Sequence, residues 1–156
     1  NTQQMKILMV CLGNICRSPL AEGILKEKIR MRGLDWQVDS AGTGGWHTGE
    51  QPDTRSIRIA KRYGIDITDQ RARKLRPDDL TSFDLILAMD ASNRSDILRS
   101  AGNEAQRRKV EMIMNFLHPH ADQDVPDPYW DDQGFEAVFQ MLDAACEALI
   151  EKYSHS

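Results

Sequence analysis

An apolar run, Ile7-Leu8-Met9-Val10, leads without a break into Cys11-Leu12-Gly13-Asn14-Ile15-Cys16-Arg17-Ser18, and Pro19 follows at once. Beyond it Leu20, Ala21, Ile24, Leu25 and Ile29 fall at helical spacing. The pattern predicts strand, tight loop, helix. Ser18 suits an N-cap, and Pro19 suits the first helical position, where a missing N–H costs nothing. A loop that ends on a helix N-terminus presents unpaired N–H groups and the positive end of the helix dipole, which together attract an anion.

The residues inside the loop narrow the chemistry. Gly13 permits a positive φ and Asn14 tolerates one better than most residues, so successive N–H groups can turn inward as a nest. Arg17 offers a planar fork that matches two oxygens of a phosphate. Cys11, among those donors and beside a guanidinium, is favoured as the thiolate, with Ser18 able to donate a further hydrogen bond to it. A thiolate beneath a bound phosphoryl group is a nucleophile in place. Cysteine and arginine at this spacing are common by chance. The preceding strand, Gly13-Asn14 inside, Ser18-Pro19 outside and the helix after give the pattern its weight.

At 156 residues the chain reads as one domain over 1–156, long enough for a full core without staples. An apolar content of 40% and a charged content of 28% are ordinary for a globular protein. The net charge of −4 argues against nucleic acid as a partner. No apolar run approaches spanning length, so no membrane insertion is expected, and the N-terminus lacks a signal-peptide pattern. Three cysteines, two of them in one loop, are not a disulfide framework. Cys11 chemistry needs a reduced thiol, which points to a cytoplasmic protein. His118 and His120 stand near aspartates but supply too few ligands at recognised spacing, so neither metal nor cofactor is expected.

In chain order, strands are predicted at 6–10, 36–40, 83–89 and 109–114. Helices are predicted from Ser18 to Arg32 with Gly33 as the stop, from Asp53 to about Tyr63, from Asp90 to about Ser100, and from about Gly134 to Tyr153. Pro77–Leu80 reads as a helical turn. Glycines 42, 44, 45 and 49 make a loop around Trp46, and residues 118–131 are Pro- and Asp-rich loop. Buried strands alternating with helices give an α/β doubly wound sheet, with ligands at the carboxyl ends of the strands. Cys11, Ser40 and Asp90 all follow strand ends.

Phosphoester cleavage at Cys11 needs a proton for the leaving group and later a base for water. Asp127, held extended by Pro128, fits both tasks, though from the residues alone it competes with Asp122, Asp124, Asp131 and Asp132. Trp46, Tyr129 and Trp130 are candidate walls for a substrate ring, each equally readable as an ordinary core or surface aromatic. Trp46 in its glycine-rich loop is poorly placed for a core.

Residues 10–19, Val-Cys-Leu-Gly-Asn-Ile-Cys-Arg-Ser-Pro, resemble the signature of the low-molecular-weight protein tyrosine phosphatases. Asp39-Ser40-Ala41-Gly42-Thr43 with Trp46, Ala88-Met89-Asp90-Ala91-Ser92-Asn93 and Asp127-Pro128-Tyr129 resemble further segments of that family, in its order and over nearly the whole chain. The resemblance implies a four-stranded parallel sheet in the order 2-1-3-4, flanked by helices on both faces, with the phosphate loop after strand 1. It implies Cys11 as nucleophile, Arg17 as phosphate ligand and Asp127 as general acid and then base. Trp46 and Tyr129 would sandwich the ring, with Trp130 on the same rim. Leu12, Gly13, Asn14, Ile15, Cys16 and Ser18 would form the loop, supported by Ser40 and Asp90. The implied partner is a phosphotyrosine-bearing protein, met as a monomer, and Cys16 would pair with Cys11 in a protective disulfide. Cys146 lies on the apolar stripe of the last helix and reads as structural. Gln70 stands where many bacterial relatives have histidine, so a retuned loop is expected.

Two neighbouring activities use a similar loop. A thioredoxin-coupled arsenate reductase needs further relay cysteines, and residues 80–100 contain none. Protein arginine phosphatases carry threonine where this chain has Ile15, and an apolar side chain there suits an aromatic ring better than a guanidinium. A binding module without turnover would have no need of Cys11, Arg17 and Asp127 together.

Overall fold

The computed structural model describes residues 4–154; residues 1–3 and 155–156 of the expected domain lie outside that range. β1 (Met5–Cys11) runs up the interior of a parallel sheet. β2 (Trp36–Gly42) pairs with one side of it and β3 (Leu85–Ala88) with the other, and β4 (Val110–Met112) lies beyond β3. The order is β2-β1-β3-β4, as the resemblance implied. Parallel neighbours require crossovers. α1 (Arg17–Arg32) joins β1 to β2, and α2 (Thr54–Arg62) with the short α3 (Asp79–Ser82) joins β2 to β3. α4 (Ala91–Arg99) and the short α5 (Glu104–Arg107) join β3 to β4, and α6 (Phe135–Tyr153) returns to pack on α1.

The unbroken apolar run of β1 is explained by two cores. Successive side chains of a strand point to opposite faces. Ile7, Met9 and Cys11 enter the core shared with α1, α2 and α6, and Leu8 and Val10 enter the one that holds Leu80, Phe83 and Ile97. Helices therefore cover both faces of the sheet.

The local signals fare unevenly. Gly33 ends α1 with φ 63°, as expected of a helix stop. Asp53 caps α2 by accepting from the Arg55 N–H, and Asp90 caps α4 by accepting from the Asn93 N–H. Ser18 is not the N-cap of α1. That position belongs to Cys16, and Ser18 is the second helical residue. Pro19 falls third, still among the N–H groups that have no partner within a helix. The third strand is shorter than expected because the Phe83 N–H closes α3 onto the Asp79 carbonyl. The fourth ends at Met112, where Ile113–Phe116 tightens into a 3₁₀ turn. An apolar run alone does not separate a strand from a buried turn.

Candidate active site

The loop 12–16 stands at the carboxyl edge of β1, where β2 and β3 also end. Asn14, not Gly13, takes the left-handed conformation, with φ 58°. At Gly13 a Cβ would lie 3.2 Å from His47 Cδ2, so the imidazole would have to give way by a few tenths of an ångström. Gly42 is the more constrained, since a Cβ would come within 2.9 Å of the Leu12 carbonyl oxygen and 3.1 Å of the Asn14 nitrogen, both backbone atoms of the loop. Thr43 and Gly44 donate their N–H groups to the Cys11 and Leu12 carbonyls, both at 2.9 Å, and so hold the loop from the β2 side.

Behind the loop a chain of hydrogen bonds runs from Cys11 to Glu22. Cys11 is buried, with its Sγ 3.0 Å from Ser18 Oγ. Asn14 Nδ2 donates to Ser18 Oγ at 2.8 Å and to Ser40 Oγ at 2.9 Å. Ser40 Oγ in turn donates to Glu22 Oε1 at 2.6 Å. Ser18 accepts from Asn14, and its own proton is free to point at the Cys11 sulfur. Asn14 Oδ1 accepts from the Arg73 N–H at 3.0 Å, which fixes the amide's orientation. Glu22, the anchor of this chain, was missed in the sequence because a glutamate in the second turn of a helix ordinarily faces solvent. Burial lifts its carboxyl above the usual range, against the hydrogen bonds from Lys26 and Ser40.

Arg17 is buried with its guanidinium tied at the back. Its Nη1 donates to Asp90 Oδ2 at 2.6 Å and to the Val125 carbonyl at 2.8 Å. Its Nη2 lies 3.8 Å from Asp127 Oδ2. Asp90 does two jobs, since its other oxygen caps α4 at 2.8 Å from the Asn93 N–H. Asp127 caps the 3₁₀ turn Pro128–Trp130 by accepting from the Tyr129 N–H at 3.1 Å, which aims its second oxygen towards Arg17. Asp122, Asp124, Asp131 and Asp132, the rival carboxylates, do not line the cavity at the loop.

That cavity, about 270 Å³, is lined by Cys11, Leu12, Gly13, Ile15, Cys16 and Arg17 from the loop, and by Asp127, Tyr129 and Trp130 from across it. Trp46 completes it, together with His47, which no sequence signal had marked. Asn14, Ser18, Ser40 and Asp90 stand behind the loop instead. Trp46 is 71% exposed and Trp130 89% exposed, while Tyr129 is half-buried with its ring edge-on to Trp130 at 4.8 Å. Cys16 has its thiol pushed up to about 12, first by burial and then by the Asp53 charge. Both loop cysteines are free thiols. Gln70 donates to the Pro19 carbonyl at 3.1 Å and does not join the Asn14–Ser40 chain; its Oε1 is buried without a hydrogen-bond partner among the described residues.

A doubly wound sheet carries here a thiol, a guanidinium and a tight loop at a helix N-terminus on its carboxyl edge, with a carboxylate facing them, a layout that fits a phosphoric monoester hydrolase. The family described as low molecular weight phosphotyrosine protein phosphatase matches residues 6–156. A Synechocystis sequence that carries this family's name is 44% identical over 149 residues, 94% of each chain. A crystal structure of a protein tyrosine phosphatase from Entamoeba histolytica superposes with a TM-score of 0.89 at 38% identity, covering 97% of both chains. An arginine phosphatase from Drosophila superposes equally well, TM-score 0.89 at 34% identity, over 96% of this chain and 98% of that one. The chain belongs to the low molecular weight phosphotyrosine protein phosphatase family.

Proposed function

We propose that the protein hydrolyses phosphotyrosine in other proteins through a phosphocysteine at Cys11. The observation that carries this reading is the convergence of Cys11, Arg17 and Asp127 on one cavity. Arg17 and the loop N–H groups hold the phosphoryl oxygens. The Cys11 thiolate forms an S–P bond as the aryl P–O bond breaks, and Asp127 gives its proton to the leaving phenolate. Asp127, now a carboxylate, takes a proton from water as the water oxygen bonds to phosphorus. The S–P bond then breaks and Cys11 leaves as the thiolate that Ser18 receives. Each proton and electron pair is placed on this chain, the substrate or water.

The walls speak for an aromatic substrate. Leu12, Ile15 and Tyr129 line the cavity, with Trp46 at its mouth, and Ile15 presents only carbon where a phosphoarginine guanidinium would need a polar partner. The likeness to the Drosophila arginine phosphatase keeps that activity as the second reading, because the shared fold does not separate the two. No helix among the described residues is long and apolar enough to cross a membrane. A reducing cytoplasmic setting and a monomer suit a thiol nucleophile at an open cavity.

Phosphate release from a phosphotyrosine peptide and a phosphoarginine peptide, side by side in chelator, tests the proposal. Wild type should turn over the first in preference and Cys11→Ser neither. Faster release from phosphoarginine would keep the nucleophile and overturn the reading of Ile15.

A further inference from the structure

A second cavity, about 340 Å³, is lined by Arg55, whose guanidinium faces the Tyr129 ring of the first. One wall is α2, which lays Arg55, Arg58 and Arg62 along a single face at helical spacing. Asp132 and Glu136 stand opposite. The three arginines are not equivalent. Arg55 is spent: it binds Asp53 through Nε and Nη2, both at 2.9 Å, and Asp132 through Nη1. Its guanidinium lies 5.4 Å from the centre of the Tyr129 ring and 4.7 Å from that of Phe135. It is therefore the partition between this groove and the cavity at the loop.

Arg58 and Arg62 are not spent. Arg58 is exposed, and among the described residues it makes no hydrogen bond or ion pair. Arg62 reaches Glu136 only at 3.4 Å, and Glu136 already accepts from the Tyr63 hydroxyl at 2.5 Å and from Gln140 at 2.8 Å. Two like charges four residues apart on a helix repel each other. A carboxylate set between them relieves that repulsion. The chain as a whole is acidic, at −4, and acids line the far wall, so the groove suits one negative side chain and not a polyanion.

We propose that this groove is a substrate subsite, which takes an acidic side chain close in sequence to the phosphotyrosine, with Arg58 and Arg62 as its specificity-determining residues. This rests on the phosphotyrosine reading above. The ligand is assigned to the substrate polypeptide because the two cavities adjoin: Arg55, on the wall of the groove, stands 5.4 Å from the ring of Tyr129, on the wall of the loop cavity. A chain that places its phosphotyrosine against Tyr129 continues, within a few residues, across α2.

The test uses phosphotyrosine peptides identical except for Glu, Gln or Lys placed in turn at each flanking position, with free phosphotyrosine as control. Affinity is measured on Cys11→Ser, and kcat and KM on the active protein. At the position that reaches the groove, Glu should bind about fivefold tighter than Lys, the scale of two exposed guanidinium–carboxylate contacts. The gain should lie in KM and shrink with added salt. Arg58→Ala with Arg62→Ala should erase the preference and leave free phosphotyrosine unchanged, and Arg58→Glu should invert it towards Lys. Equal binding of the three peptides at every position, or a preference that survives the double substitution, overturns the subsite. Free phosphotyrosine left uncleaved by the active protein strikes at the proposed activity instead, and the affinities on Cys11→Ser still decide the groove.

Discussion

At the scale of single residues, the acidic partner of the loop and its second cysteine make separable predictions. The folded chain holds the proton of Glu22 more tightly than the unfolded chain, because burial raises this carboxyl. Its contribution to stability is full below the ordinary value of 4.5 and is lost as pH rises through the raised one. Glu22→Gln removes that ionisation while keeping an oxygen for Ser40. The melting temperature of Glu22→Gln relative to wild type should therefore improve as pH is taken from 4.5 to 7, and a flat difference would place the titration elsewhere. Cys16, with its thiol pushed up to about 12, stays neutral at working pH. Cys16→Ser should turn over substrate as wild type does. The family resemblance assigns this sulfur a disulfide with Cys11: peroxide oxidises Cys11 to the sulfenic acid, and the Cys16 thiol displaces water from it. Peroxide-treated wild type should then recover with added thiol, and Cys16→Ser should not. Equal recovery would remove the pairing.

At the scale of elements, α2 is the part of the scaffold that most directly supports the loop. The Asp53 N–H donates to the Ile15 carbonyl at 2.8 Å, and Ser56 Oγ donates to the Cys16 carbonyl at 3.2 Å. The Asp53 side chain meanwhile caps the helix, and the Arg55 hydrogen bond holds its carboxyl below the usual range despite partial burial. That stability is present above the ordinary carboxylate range and is lost as pH falls through the depressed value. Asp53→Ala should cost about 1 kcal/mol at pH 7, seen as a melting temperature lower by about 2–4 °C. The gap to wild type should close in strong acid, where wild-type Asp53 is protonated too; a gap independent of pH would mean that the loss is packing and not the cap. This helix was legible in the sequence because Asp53 is a local signal. The Glu104–Arg107 turn was not, since Glu-Ala-Gln-Arg after Asn103 is too short to carry a periodicity that marks it as helical. Ser18 was misread for a related reason: cap preference is a local rule, and the hydroxyl was claimed by a contact with Cys11 that only the fold creates.

At the scale of the whole molecule, the meeting of Cys11, Ser40 and Asp90 at one edge was readable, because a doubly wound sheet gathers its ligands at the carboxyl ends of its strands, whereas the strand order was legible only through the family resemblance. Glu22 was not, since its contact with Ser40 appears only when α1 packs on β2, and neither was the groove, which joins α2 to the segment that opens α6. The loop itself ties those crossovers together. Arg17, at the head of α1, is bonded to Asp90 at the end of β3 and to the Val125 carbonyl in the segment before α6. An anion bound at the loop thus contacts the junction of both cores and should stabilise the molecule against global unfolding. At a concentration 100 times its dissociation constant the gain is about 2.7 kcal/mol, or about 5–10 °C for a chain of this size. Inorganic phosphate should produce that shift in wild type. Asp127→Asn should keep the shift or enlarge it, since a carboxylate 3.8 Å from Arg17 Nη2 repels the incoming anion. Arg17→Ala should start from a lower melting temperature, because Asp90 loses its partner, and should respond to phosphate hardly at all. A full phosphate shift in Arg17→Ala would show that the stabilising anion binds elsewhere, and the loop would lose its place as the anion site.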